Sequence, residues 1–593
     1  MLQQGETLDS SSAFCPLLGI PSRGCVLPLA PLLPATDVLQ EGRGAATMSE
    51  WLLQKWCLGK MSAVEVLDGC RHANLDPLDL FGTHLSTMDS HNAHRGLMAA
   101  VKKHFPGDLC PLFWAKVPLW DDARKCQTIG DVPFCLPHEW LADVAQADPQ
   151  SWAANTDELR TVLDGWMRSV KAPEGDQIVA PITMWGDSAP FHTGTDSVNL
   201  LLWGGANKEG RYWITVLPKS AFCRCGCNGH HTLDAVWHVV AWSMRCLLAG
   251  VYPSRDHAGH WLTDAWRVAR SGQRLPVRGA CVQFRGDWPW LSYCFSVNYS
   301  GNTFPCFLCS ASKTDVMPFT DPALSADWRC TLCTHESWLK ERFRTAEKIS
   351  PIFSMPGFRL EFVMLDWMHM ADLGASQVAV GNCMCEMFFA LGGIVTRPEA
   401  ALNTLATYMK ATGQRLGIDF PFTRLRLKDI RLATGEPRLR SKAARCRACV
   451  RICTECLEEF FEVVSDHERK RLACMKFLVQ MYDTLDGWHP SAHAALASDC
   501  RKHLTLFLEL AMPFKDAPNG WLRWRWFPKH HMLLHLTGEQ ARRMGNPRSW
   551  WCYLDEGHIG QAARVCESVH SKTLAKSCMD KYLTLQKLRR AGV

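Results

Sequence analysis

Two stretches decide the reading of this chain. One is Ile178-Val179-Ala180-Pro181-Ile182-Thr183-Met184-Trp185-Gly186-Asp187, and the other is Ala280-Cys281-Val282-Gln283-Phe284-Arg285-Gly286-Asp287. Each is a β-rich apolar run that stops at a Gly-Asp step. Between them lie two more strand patterns, Ser197–Trp203 and Arg211–Leu217, and a long apolar helix pattern over Thr232–Leu248. The short turns between the first three strands predict an antiparallel meander. The helix then permits a crossover to a strand lying parallel to the first. That order matches the opening of an RNase H-like fold, in which the first and fourth strands are neighbours. Asp187 and Asp287 would then meet and offer oxygen ligands to Mg²⁺. The competing reading is that Gly-Asp is ordinary turn chemistry.

Outward from this centre, residues 1–48 read as a flexible leader rich in Gly, Pro and Ser, and 49–175 as a helical N-terminal region. Residues 176–287 form the first part of the core. Residues 288–380 read as a Cys-rich insertion, 381–530 as an α-helical insertion, and 531–593 as helices completing the core. The expected class is therefore α/β: an RNase H-like mixed-sheet core with a zinc-type insertion and a large helical insertion.

The composition narrows the function. Lys and Arg number 65 against 59 Asp and Glu, a net +6, so contact with nucleic acid must come from local patches. The 28 Cys in so long a chain argue for metal sites in a reducing compartment, not for a small secreted scaffold. The start of the chain lacks a basic signal-peptide pattern, and no run of 18 apolar residues is uninterrupted, which predicts no membrane span. No P-loop and no nucleotide-binding Gly-x-Gly-x-x-Gly context is present.

Cys306-x-x-Cys309 and Cys330-x-x-Cys333 have the four-thiolate spacing of a structural Zn²⁺ site, with His335 able to replace one thiolate. Cys223-x-Cys225-x-Cys227-x-x-His230-His231 is denser, and its one-residue gaps suit either a metal or a tight loop. Cys446, Cys449, Cys453 and Cys456 fall on one helix face and read as core packing. Asp366-x-x-His369 shares a helix face, so the pair could bind metal, the Asp could orient the His, or the Asp could cap the helix. Ten basic residues against two acidic ones lie between Arg424 and Arg451, a local +8 suited to phosphates. Arg424, Arg426, Lys428, Arg438, Arg440, Lys442, Arg445 and Arg447 are the expected DNA contacts. Trp521–Trp526 interleaves Trp with Arg and could stack on bases.

These blocks, in this order, resemble the transposases of CACTA (En/Spm-type) DNA transposons over roughly residues 180–570. Gly186-Asp187-Ser188-Ala189-Pro190-Phe191 resembles the segment of the family's first aspartate. Gly286-Asp287-Trp288-Pro289-Trp290, with the following Cys306-x-x-Cys309, resembles that of the second. Leu365-Asp366-Trp367-Met368-His369 resembles its D-x-x-H block, Trp526–His535 its His-rich segment, and Trp551–Glu556 the tract of its last acidic residue. The resemblance implies a DDE-type transposase. Asp187, Asp287 and Glu556 would hold Mg²⁺ or Mn²⁺, and Asp366 and His369 would support them. Asp196 and Asp555 compete for the first and third roles. It further implies DNA as substrate, self-association on paired DNA ends and a nuclear location. The alternative is a catalytically inactive, zinc-stabilised DNA-binding or protein-interaction protein derived from a transposase.

Overall fold

The computed structural model describes residues 47–591 apart from 74, 77, 106–108, 173–174, 192–194, 346–349 and 516–522; nearly all of the expected leader lies outside them. The chain is mixed α/β and mostly helical.

Its sheet has four strands: β3 (Val179–Phe191), β4 (Asp196–Gly205), β5 (Arg211–Pro218) and β6 (Arg278–Arg285), in the order β5-β4-β3-β6. β3–β4 and β4–β5 are antiparallel, whereas β3 and β6 are parallel, as the meander and crossover require. The crossover contains α1 (His230–Ala249), closed at each end by a glycine in the left-handed region, Gly229 and Gly250. β6 is buried along its whole length, and β3 from Ala180 to Gly186, because neighbouring elements cover them.

A hairpin of β1 (Phe113–Asp121) and β2 (Cys126–Phe134) stands where sequence analysis expects only helical pieces and loops. Its inner end joins the sheet region: Cys135 N–H donates to the Ile214 carbonyl at 2.8 Å, and Thr215 Oγ1 donates to the Pro133 carbonyl at 2.9 Å. The strand signal there is diluted by Pro118, Gly130 and Pro133, and the outer part of β2, Cys126–Asp131, is exposed or half-buried.

After β6 come α2 (Trp288–Phe295) and then a helical block. That block includes α3 (Ser376–Ala390), α4 (Ala443–Phe460), α5 (Asp466–Asp486) and α6 (Ala492–Ala511). The chain ends with α7 (Pro528–His535), α8 (Tyr553–Glu567) and α9 (Leu574–Arg590). One continuous apolar core runs from Leu109 to Tyr582. The helices over 48–104 make a smaller cluster that closes on Leu585 and Leu588 of α9. Cys446, Cys449, Cys453 and Cys456 of α4 are fully buried core residues, as their shared helix face predicts.

Candidate metal centres and a carboxylate cleft

The β3–β6 ladder ends with Trp185 opposite Arg285. Gly186 and Gly286 therefore lie at one level, and Asp187 and Asp287 at the next. Asp287 follows its strand and caps α2, its Oδ1 accepting from Trp290 N–H at 2.7 Å. Asp187 does not end a strand as expected. β3 continues through it to Phe191, and Asp187 is paired with Leu200 of β4.

The glycines are needed for close approach, not for relaxed dihedrals. A Cβ on Gly186 would sit 1.9 Å from the Trp290 ring, and one on Gly286 would sit 2.9 Å from the Gly186 carbonyl oxygen. Both aspartates line one cleft of about 930 Å³, with Asp196, Lys219 and Arg224 on its other parts. Asp196 itself is engaged at the turn, accepting from Ser220 Oγ at 2.5 Å and from Ser220 N–H at 3.1 Å.

α8 brings Glu556 to this pair. Its first turn is fastened from several sides. Asp555 accepts from Arg211 Nε at 2.7 Å and lies 3.5 Å from Arg285 Nη2, all three groups being buried. Tyr553 donates to Asp372 at 2.7 Å, and Cys552 N–H donates to Asp366 Oδ1 at 2.8 Å. Asp555 is thus committed to structure, while its neighbour Glu556 faces the aspartates.

Asp187 and Glu556 sense the acids around them. Burial first, then Asp287 and Glu556, push the Asp187 carboxyl up to about 8. Burial also raises Glu556; His369 opposes this, while Asp366 and Asp287 add to it. Like charges brought together out of water hold protons, and a cation relieves the same repulsion.

Asp366 and His369 stand behind Glu556. His369 Nδ1 is 2.6 Å from Asp366 Oδ2, and its Nε2 is 3.8 Å from Glu556 Oε1. Asp366 also accepts from the backbone N–H groups of Met368 and His369, so orienting and capping coexist in one residue. Burial works against a charged His369, but Asp366, through its hydrogen bond and its charge, and then Glu556 raise its proton affinity. Lys529, within the Trp526–His535 segment, is half-buried in the same field. Burial and Arg438 lower its proton affinity, against Asp287 and Asp366.

The expected four-thiolate site is corrected. Cys306 and Cys309 do converge, but with His531 and His535 of α7, all four buried, in a Cys₂His₂ group that could hold zinc. Cys306 Sγ is 3.4 Å from His535 Nε2, Cys309 Sγ is 3.3 Å from His531 Nε2, and the two Nε2 atoms are 3.1 Å apart. Leu308 N–H points at Cys306 Sγ and Ala311 N–H at Cys309 Sγ, as in a thiolate knuckle. His535 Nδ1 is held by Glu539 at 3.0 Å, the outer-shell partner that fixes a ligating imidazole. Cys330 is exposed, Cys333 is half-buried, and neither joins the group. His335 instead accepts from Leu360 N–H. The signal available in the sequence was His531-x₃-His535, one helical turn apart. Cys223, Cys225, Cys227 and His231 form a second, Cys₃His group.

The basic segment divides. Arg426 pairs with Asp429, Arg438 with Glu436 and Arg447 with Asp486, which takes these three out of the freely available set. Arg424, Lys428, Arg440, Lys442 and Arg445 are exposed, with no ion pair among the described residues. Trp524 is buried and donates to Glu386, and Trp526 is nearly buried, so neither is a stacking platform; Trp521 lies outside the described residues. No described helix is long and apolar enough to cross a membrane. No family model matches the chain, and no curated protein matches it.

Proposed function

We propose that this protein cuts and joins DNA strands by divalent-metal phosphodiester chemistry, the activity that the CACTA-type resemblance implies. The observation that carries the reading is that Asp187 and Asp287 line one cleft, with Glu556 close enough that burial, then Asp287 and Glu556, lift the Asp187 carboxyl. The donor set fits Mg²⁺ or Mn²⁺, since it is oxygen only and anionic. Bound there, such cations would supply the charge neutralisation and Lewis acidity that phosphodiester cleavage and strand transfer need.

The chain's own residues do the rest. Asp187, Asp287 and Glu556 hold the charge in place. Asp366 fixes His369, which supports Glu556 from behind. Lys219 and Arg224 line the cleft where a phosphate backbone would enter. Arg424, Lys428, Arg440, Lys442 and Arg445 extend the contact to flanking duplex, through counterion release. An RNase H-like core, self-association on paired ends and a nuclear location belong to the same proposal.

A second reading has its own support. The Cys₂His₂ centre is built independently of the carboxylates, so a catalytically inactive, zinc-stabilised DNA-binding protein would keep it. Nicking of supercoiled plasmid in MnCl₂ separates the two. Wild type should nick, while Asp187→Asn and Glu556→Gln should bind the plasmid without nicking. Nicking by Glu556→Gln at the wild-type rate would refute the catalytic assignment. Salt-sensitive binding without nicking by any of the three proteins would favour the inactive reading.

A further inference from the structure

The Cys₃His group is not part of the carboxylate site, yet its Cys223 and the loop that carries it line the same cleft. Cys223, Arg224, Gly226, Asn228 and Gly229 make up this wall of the cleft. One-residue spacings would hold three sulfurs apart in extended chain. Here Gly226, Asn228 and Gly229 all take positive φ, which folds the segment back on itself. The potential ligand atoms of Cys223, Cys225, Cys227 and His231 consequently lie within 4.8 Å of one another. His231 Nδ1 is 3.3 Å from Cys225 Sγ and 3.8 Å from Cys223 Sγ. A tetrahedral zinc with its usual Zn–S and Zn–N bonds places ligand atoms about 3.5–3.8 Å apart. Three soft thiolates and an imidazole select zinc over magnesium or calcium.

The knuckle is also tied to what surrounds it. Gln127 of β2 reaches both Cys223 Sγ and His231 Nδ1, at 3.2 and 3.1 Å. His231 belongs to the first turn of α1. Tyr293 of α2 donates to the Asn228 carbonyl at 2.9 Å, and α2 is the helix that Asp287 caps. The segment therefore joins the β1–β2 hairpin, α1 and α2 at a single point beside the carboxylates.

We propose that Cys223, Cys225, Cys227 and His231 bind a structural Zn²⁺ ion that braces this wall of the cleft for nucleic acid. On binding, the three thiols release their protons to solvent and no electron is transferred. The metal assignment stands on the cluster itself; the bracing role rests on the phosphodiester reading of the cleft.

The test starts with zinc counted by plasma mass spectrometry on the purified full chain. Two ions per chain are expected in wild type. One should remain in Cys225→Ser/Cys227→Ser, and one in Cys306→Ser. Wild type with a single ion that is lost in Cys306→Ser would overturn the site. Should the double variant fail to fold, alkylation of wild type decides. Cys225 and Cys330 are both exposed thiols. With zinc present Cys225 should react with iodoacetamide far more slowly than Cys330, and after chelation at a similar rate. Equal rates with zinc present would overturn the site. In a binding assay with a duplex fragment, the double variant should bind more weakly than wild type. Unchanged binding would overturn the bracing role. A count of two zinc ions in a chain that neither binds nor nicks DNA would remove the phosphodiester reading and leave the zinc site standing.

Discussion

Asp555 and Glu556 are adjacent acids on the first turn of one helix, and the structure gives them opposite jobs. Asp555 is fully buried and is the carboxylate facing two buried guanidiniums, those of Arg211 and Arg285. Asp555→Asn keeps the shape and removes the charge, leaving two cations in a dry interior. Losing one partner of a buried ion pair costs about 3–5 kcal/mol. That corresponds to roughly two to four orders of magnitude in the unfolding constant. Glu556→Gln does the reverse. It removes one of the like charges that crowd Asp187 and leaves no cation orphaned, so stability should hold or rise in metal-free buffer.

Urea unfolding followed by tryptophan fluorescence, with and without MnCl₂, measures both effects. In wild type, Mn²⁺ at a hundredfold excess over its Kd should add about 2.7 kcal/mol. Asp555→Asn should unfold earlier in both buffers. Glu556→Gln should match wild type without Mn²⁺ and lose the gain with it. Glu556→Gln as unstable as Asp555→Asn, or stabilised by Mn²⁺ as fully as wild type, would refute these two assignments.

Acid should destabilise the protein below neutral pH. Burial, then Arg267, lowers His138 to about 3, and burial lowers His503 to about 4, against an ordinary 6.5. The unfolded imidazoles bind protons that the folded ones refuse. The stability is fully present above pH 6.5 and falls as pH drops, by about 2 kcal/mol per histidine near pH 5. Urea midpoints across that range should show the slope, and His138→Gln should flatten it. Gly186→Ala drives a methyl into the Trp290 ring and should cost about 1–3 kcal/mol in the same assay; unchanged stability would mean that Trp290 is free to move. Arg440, Lys442 and Arg445 changed together to Gln should reduce the slope of log affinity against log salt by about 2–3 for a duplex fragment. An unchanged slope would remove these exposed residues from the DNA contact.

Much of this molecule is written locally. The alternating apolar runs at 178–185, 197–203 and 211–217, with the helix pattern before 280, determine a meander, a crossover and a parallel fourth strand. Strand period, turn residues and handed crossovers leave few other arrangements. The long helices of the 381–530 region follow equally from their periodicity, and so does the burial of the four cysteines of α4. The hairpin at 113–134 stays hidden because its prolines and exposed outer residues weaken the strand pattern.

Tertiary structure alone decided three things. It gave Cys306 and Cys309 two histidines more than 220 residues away in place of the nearby Cys330 and Cys333. Ligand choice depends on which side chains converge in space, and spacing along the chain limits only local partners. It sorted the basic segment into residues held by Asp429, Glu436 and Asp486 and residues left at the surface. Last, it separated Asp555 from Glu556. The sequence shows two neighbouring acids, and only the packing of α8 against Arg211 and Arg285 buries one charge in the frame and turns the other toward Asp187 and Asp287.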